Sequence, residues 1–91
     1  GVEWFRKGAA AGHVASMRDL GYMVENGVGT DRDEKAAAEW YRRAVDRGDA
    51  PAMNNLGLLL RDGRGVAKDE AEAVRLFRLS ADRGNRYAMW N

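Results

Sequence analysis

The sequence predicts an all-α fold, a solenoid of helix-turn-helix repeats with a 36-residue period and about two and a half repeats. Three observations carry this. The chain lands on itself when shifted by 36 residues: Met17 falls on Met53 and Met89, Gly12 on Gly48 and Gly84, Leu20-Gly21 on Leu56-Gly57. Within each period the apolar residues recur at helical spacing. No segment shows the two-residue alternation of a strand. A period between about 20 and 50 residues is the signature of a repeat array.

Each period reads as two helices, the first over residues 14–26 and again over 50–62. Asp49 suits the N-cap, and Pro51 falls in the first turn, where a missing N–H costs nothing. Gly27 and Gly63 fall where a helix takes a left-handed C-terminal residue. The second helix covers 33–47 and 69–83. Asp69 with Glu72 fits a capping box, and Asp31 with Glu34 is a candidate for one in the earlier copy. Gly48 and Gly84 are expected to end these helices. Ala37, Trp40, Tyr41, Ala44 and Val45 lie on one face, repeated by Ala73, Leu76, Phe77, Ser80 and Ala81. Trp4, Phe5, Gly8 and Ala9 repeat that face again. The chain therefore divides into a second helix of a preceding repeat (1–12), repeats at 13–48 and 49–84, and the start of a further repeat (85–91).

Between the helices, NGVGTDRDEKA at 26–36 recurs as DGRGVAKDEAE at 62–72. Its Gly-x-Gly resembles a phosphate loop. Such loops follow a strand and carry a third glycine or a Gly-Lys-Ser/Thr ending, and neither occurs here. The stretch reads as a turn: one glycine stops a helix, the other shapes the bend, and an aspartate caps the next helix.

Bulk composition narrows the chemistry. The chain has 91 residues, 15 basic and 14 acidic, a net charge of +1 and no cysteine. A disulfide framework and a thiolate metal site are excluded. Twelve of the basic residues are Arg, which points to a GC-rich bacterial genome, but acids are interleaved with them and no basic face for nucleic acid forms. No apolar run approaches the ~18 residues of a membrane span. His13, the lone histidine, occupies a helix start, a surface or cap position, and lacks the partners of a metal site or triad. Asp31, Asp33 and Glu34 sit at a helix N-terminus, where acids suit the dipole, and lack the spaced ligands of a calcium loop. No metal or cofactor is expected.

Residues 52–84, AMNNLGLLLRDGRGVAKDEAEAVRLFRLSADRG, resemble a Sel-one-like repeat (SLR), a relative of the tetratricopeptide repeats. The features are a small residue before Asn-Leu-Gly, a Gly-x-Gly-Val turn, and an Asp-capped helix ending in an aromatic, small residues and Gly. Residues 16–48 match less fully, with Asp19 in place of Asn55 and Thr30 in place of Val66. The resemblance implies a right-handed α/α superhelix with first helices on the concave side. It implies an adaptor or scaffold that holds a protein or peptide, in bacteria often at the cell envelope or secreted. Some cysteine-rich SLR proteins are associated with β-lactams, but this chain has neither cysteine nor a Ser-x-x-Lys motif. No enzymatic activity is expected.

On that arrangement the partner groove is lined by Arg18, Tyr22, Glu25, Asn54, Leu58 and Arg61, followed by Tyr87 and Trp90. Arg and aromatic side chains dominate binding hot spots. Charge reversal at Arg18 and Arg61 is expected to abolish partner capture, unless these are purely structural inner repeats of a longer scaffold. Gly21 and Gly57, mid-helix, are expected where two helix backbones approach closely. Asn55 and Asn91 are expected to tie first helices to neighbouring loops through their amides. Glu3–Lys7, Glu39–Arg43, Arg42–Asp46 and Arg78–Asp82 have the spacing of surface ion pairs. The chain begins without Met and is expected to come from something longer, with uncapped ends (Trp4, Phe5, Met89, Trp90) that self-associate.

Overall fold

The computed structural model describes the backbone of residues 12–90 and the side chains of residues 12–83. Four helices follow one another: α1 (Val14–Asn26), α2 (Glu34–Asp46), α3 (Ala50–Asp62) and α4 (Glu70–Trp90). There is no strand among the described residues. α1 pairs with α2 and α3 with α4, and α3 also packs on α2, so the two hairpins stack as a short α/α solenoid. Residues 1–11, with the expected helix of a preceding repeat and Glu3–Lys7, lie outside the described residues, as does Asn91.

The punctuation read from the sequence sets these limits. Gly27 and Gly63 adopt left-handed backbones (φ 70° and 68°) and end α1 and α3. A side chain with a Cβ would be strained there. Asp49 accepts the Ala52 N–H at 3.0 Å, with Pro51 in the first turn of α3. Asp69 accepts the Glu72 N–H at 3.0 Å. In the earlier copy the cap is Asp33, which accepts the Ala36 N–H at 3.0 Å; Asp31, the expected partner of Glu34, is not the cap. The reason is register. Asp33 is one period before Asp69, and both residues donate their own N–H back to the preceding helix, to the Val24 carbonyl at 2.7 Å and the Leu60 carbonyl at 2.9 Å.

The fourth helix departs from expectation. Gly48 ends α2 with φ 84°, but α4 continues through Gly84 to Trp90. Extending a helix adds one hydrogen bond per residue fixed, whereas a new helix must be nucleated and then docked. A mid-helix glycine costs just ~1 kcal/mol, so Gly84 does not by itself stop a helix.

Leu20, Leu56, Leu59, Leu76 and Tyr41 are fully buried, with Ala37, Ala44, Ala52 and Ala73 between them as small spacers. Gly21 and Gly57 serve close approach, though of a different kind from that expected. A Cβ on Gly21 would stand 2.7 Å from Cε1 of Tyr41, and one on Gly57 2.7 Å from Cε1 of Phe77. What lies over each glycine is the aromatic ring of the paired helix and not its backbone.

Candidate functional site

The first helices of the two repeats, α1 and α3, place their predicted groove residues in two groups. The exposed group is Tyr22 (58% exposed), Leu58 (40%), Asn54 and Arg61. Tyr22 and Leu58 hold the same register position one repeat apart, so consecutive first helices each offer a large apolar side chain to solvent. Among the described residues Arg61 bonds to its neighbour Asp62 alone, at 3.1 Å and 3.3 Å, which holds the Asp62 carboxyl below its ordinary range.

The second group is tied into the fold. Arg18 is half-buried and donates to Oδ1 of Asp49 at 3.0 Å, while Oδ2 of Asp49 caps α3. Arg18 therefore braces the start of the next repeat. Glu25 accepts the Tyr41 hydroxyl at 2.7 Å and Nη2 of Arg64 at 2.8 Å. Nε of Arg64 donates to Glu34 at 2.5 Å. One guanidinium on the α3–α4 turn thus holds two carboxylates of the previous repeat. Burial first, and then the Glu25 carboxylate, hold the Tyr41 phenol far above its ordinary pKa. Beside this network Gly65 (φ 72°) lies against the backbone of Glu34 and Lys35, with no room for a Cβ.

Sequence reasoning did not find this joint, although a signal was present: Val28 becomes Arg64 and Glu25 becomes Arg61 one period later. Glu25 and Arg64, two of the residues that break the repeat, meet across the joint between repeats. The Gly21–Tyr41 and Gly57–Phe77 contacts had a signal too, since both pairs recur at one spacing. Tyr87 and Trp90 lie on the continuation of α4, not on a new first helix, and their side chains are outside the described residues. The Asn55 amide makes no hydrogen bond to another described residue, contrary to the tie expected of it; Ser80 makes such a tie, donating to the Ala50 carbonyl at 2.9 Å.

The outer faces of α2 and α4 also differ from expectation. Among the described residues, Glu39–Arg43, Arg42–Asp46 and Arg78–Asp82 do not close to within 4.0 Å. Arg43 lies over the Trp40 ring instead, 4.8 Å from its centroid, a cation–π contact. The remaining charges rim a cleft of about 360 Å³ between α2 and the α3–α4 turn, with Ala38, Gly65 and Val66 in its wall. His13 occupies the N-cap position of α1 without a side-chain cap bond. The described residues contain no group of three or more potential metal ligands, and none of their helices is long and apolar enough to cross a membrane.

Comparison with known proteins agrees with this architecture. The Sel1 repeat family profile matches residues 1–13, 14–49 and 50–85, one residue later than the boundaries read from the sequence. A protective antigen present in uropathogenic Escherichia coli strains, with an SLR fold, superposes with a TM-score of 0.88 at 39% identity. That match covers 90% of this chain and 18% of the antigen. A Sel1 repeat protein from Oxalobacter formigenes gives 0.75 at 34% identity, covering 77% of this chain and 29% of its own. Cysteine rich protein B of Helicobacter pylori gives 0.84 at 28% identity, covering 89% and 61%. A search of curated proteins found no significant match. This chain thus spans under a third of the first two relatives, and its four helices, 36-residue period and profile matches agree on one assignment: it belongs to the Sel1 repeat family.

Proposed function

We propose that this chain is a non-enzymatic interaction module that takes a protein or peptide segment on the concave face formed by its first helices. The observation that carries the reading is the pair Tyr22 and Leu58. These large apolar side chains are exposed at equivalent positions of consecutive helices, beside the exposed Asn54 and Arg61. Burying an aromatic or a leucine side chain on binding yields about 1.5–3 kcal/mol each, enough for such a pair to anchor a partner. Repeat stacking extends such a surface along the array. Sel1 repeats commonly serve as protein-interaction modules, and this reading specifies the face and the anchors.

Arg18 and Glu25 support this function indirectly, by fixing one repeat against the next. Reversing the Arg18 charge would disturb the cap of α3 and is a poor probe of recognition. The better test is affinity capture from the source cell with the unaltered chain and with Tyr22→Ser, Leu58→Ser and Arg61→Glu variants of equal helicity. Proteins held by the unaltered chain and lost by these variants support the reading. Identical captures overturn it. They would favour inner repeats that only contact their neighbours, a second reading to which the inter-repeat bonds of Arg18 and Arg64 lend weight.

A further inference from the structure

The last turn of α1 ends in the dipeptide Asn26–Gly27, and of the five asparagines in the chain only this one precedes a glycine. The amide carbon of an asparagine is open to attack by the backbone nitrogen of the next residue, which closes a five-membered succinimide ring. Glycine hinders this least, because it has no Cβ to shield its nitrogen or to restrict its backbone. Asn26 is exposed, so water reaches the amide.

In the folded chain both reacting groups are held. Nδ2 of Asn26 donates to the Tyr22 carbonyl at 2.9 Å. The Gly27 N–H donates to the Met23 carbonyl, which also accepts the Val28 N–H at 2.8 Å. The next two carbonyls are tied as well: Val24 accepts the Asp33 N–H at 2.7 Å, and Glu25 accepts Nε of Arg32 at 3.1 Å. Ring closure needs the Gly27 nitrogen to lose its proton and turn toward the Asn26 side chain, so these bonds must open first. Helix ends open locally at far less cost than the whole fold. The second repeat shows that the fold accepts a carboxylate here, since Asp62 stands at the register of Asn26 and is again followed by a left-handed glycine, Gly63. The surroundings differ. Asp62 is held by Arg61, whereas the neighbour of Asn26 is Glu25, already engaged by Tyr41 and Arg64.

We propose that Asn26 is a site of spontaneous deamidation, gated by opening of the last turn of α1. When the turn opens, the Gly27 nitrogen gives its proton to solvent base and bonds to Cγ of Asn26. The Cγ–Nδ2 bond breaks, and the amide nitrogen takes up a proton from water and leaves as ammonia. Water then opens the succinimide at either carbonyl, which leaves an ordinary aspartate or a β-linked isoaspartate. Overall one water is consumed and one ammonia released, with no oxidant or cofactor. The product loses the donor to the Tyr22 carbonyl and sets a carboxylate at the C-terminal end of α1, where the helix dipole disfavours it. It also removes the net charge of +1 and puts a negative charge one turn from the exposed Tyr22. The inference does not depend on a partner binding the concave face, and either can fail alone.

The test ages the chain in mildly alkaline buffer, folded and unfolded in guanidinium chloride, and follows by mass spectrometry the amide-to-acid mass gain of the tryptic peptide that contains Asn26. Opening is fast relative to this chemistry, so the folded rate follows the population of the open turn. Conversion at Asn26 is expected in the folded chain, about tenfold or more slower than in the unfolded one, with Asn54 and Asn55 unchanged over the same period. Arg32→Gln removes the exposed donor to the Glu25 carbonyl and should speed the folded rate several-fold while leaving the unfolded rate as it was. Asn26→Gln, whose longer side chain needs a larger ring, should abolish the gain. No conversion in the folded chain while the unfolded chain converts fully, equal rates in the two states, or a folded rate indifferent to Arg32→Gln would each overturn the inference.

Discussion

The two repeats share a backbone plan, yet equivalent positions lead different lives. Ala38 is 3% exposed, beside Val66 of the following turn; its counterpart Val74 is 47% exposed. Tyr41 is fully buried with its hydroxyl on Glu25, whereas Phe77 is half-buried. Arg18 braces the next helix cap, and its counterpart Asn54 stands exposed. In the first repeat Ala38 and Arg18 are covered or engaged by the second, and Arg64 of the second holds the Glu25 that accepts from Tyr41. No further repeat covers the second among the described residues. What recurs unchanged, such as Gly21 and Gly57 under their rings, packs inside one repeat. What changes, such as Val28 to Arg64, works between repeats.

The sharpest way to break this comparison is to truncate the two rings. Tyr41→Ala removes a fully buried side chain and should cost about 3–5 kcal/mol, a large share of the stability of so small a domain. Phe77→Ala, at the same register position, should cost clearly less, because that ring is half-buried. Urea denaturation of both variants measures the difference, and equal costs would contradict the account of repeat-to-repeat covering.

A smaller effect is expected at the joint. Arg64→Ala removes the guanidinium that holds Glu25 and Glu34, both partly exposed, so the loss should be about 1 kcal/mol after solvent screening. Val28→Ala, the equivalent exposed position, should stay within about 0.5 kcal/mol of the unaltered chain. Shifts of the denaturation midpoint compare the two; equal shifts would show that Arg64 does not join the repeats.

The smallest effect concerns pH. The folded chain keeps the Tyr41 proton well above the ordinary phenol value of 10.0. The stability this gives is fully present below that value and declines as pH rises past it, because the unfolded chain then binds fewer protons. Urea midpoints at about pH 8 and about pH 11 should reveal the decline, and Tyr41→Phe should reduce it. An unchanged pH dependence in that variant would show that other groups cause the alkaline loss.

Local rules were legible in the sequence because they act over a few residues. The left-handed glycines, the Asp49 cap and the apolar faces are set by backbone geometry and periodicity, and they fall where expected. Asp33 was obscured by Asp31, since either aspartate satisfies a short-range capping pattern and only tertiary register chooses between them. Gly84 failed as a stop because a glycine permits a left-handed turn without requiring one. The ring over Gly21, the engagement of Glu25 and the unpaired outer charges of α2 depend on contacts between distant residues. Spacing within one helix cannot report those. Tyr22 and Leu58 were legible as exposed positions, and their role belongs to the proposal above.

Gly65, pressed against the backbone where α2 begins, acts as a mechanical gauge. The thickness of one missing side chain sets how far the second hairpin tilts on the first. In a long array a change in that tilt would be inherited by every unit beyond it, and the far end would swing through the sum. A methyl group added at this one position would press on the start of α2 and would also strain the left-handed turn of the second hairpin, so that curvature and turn would change together.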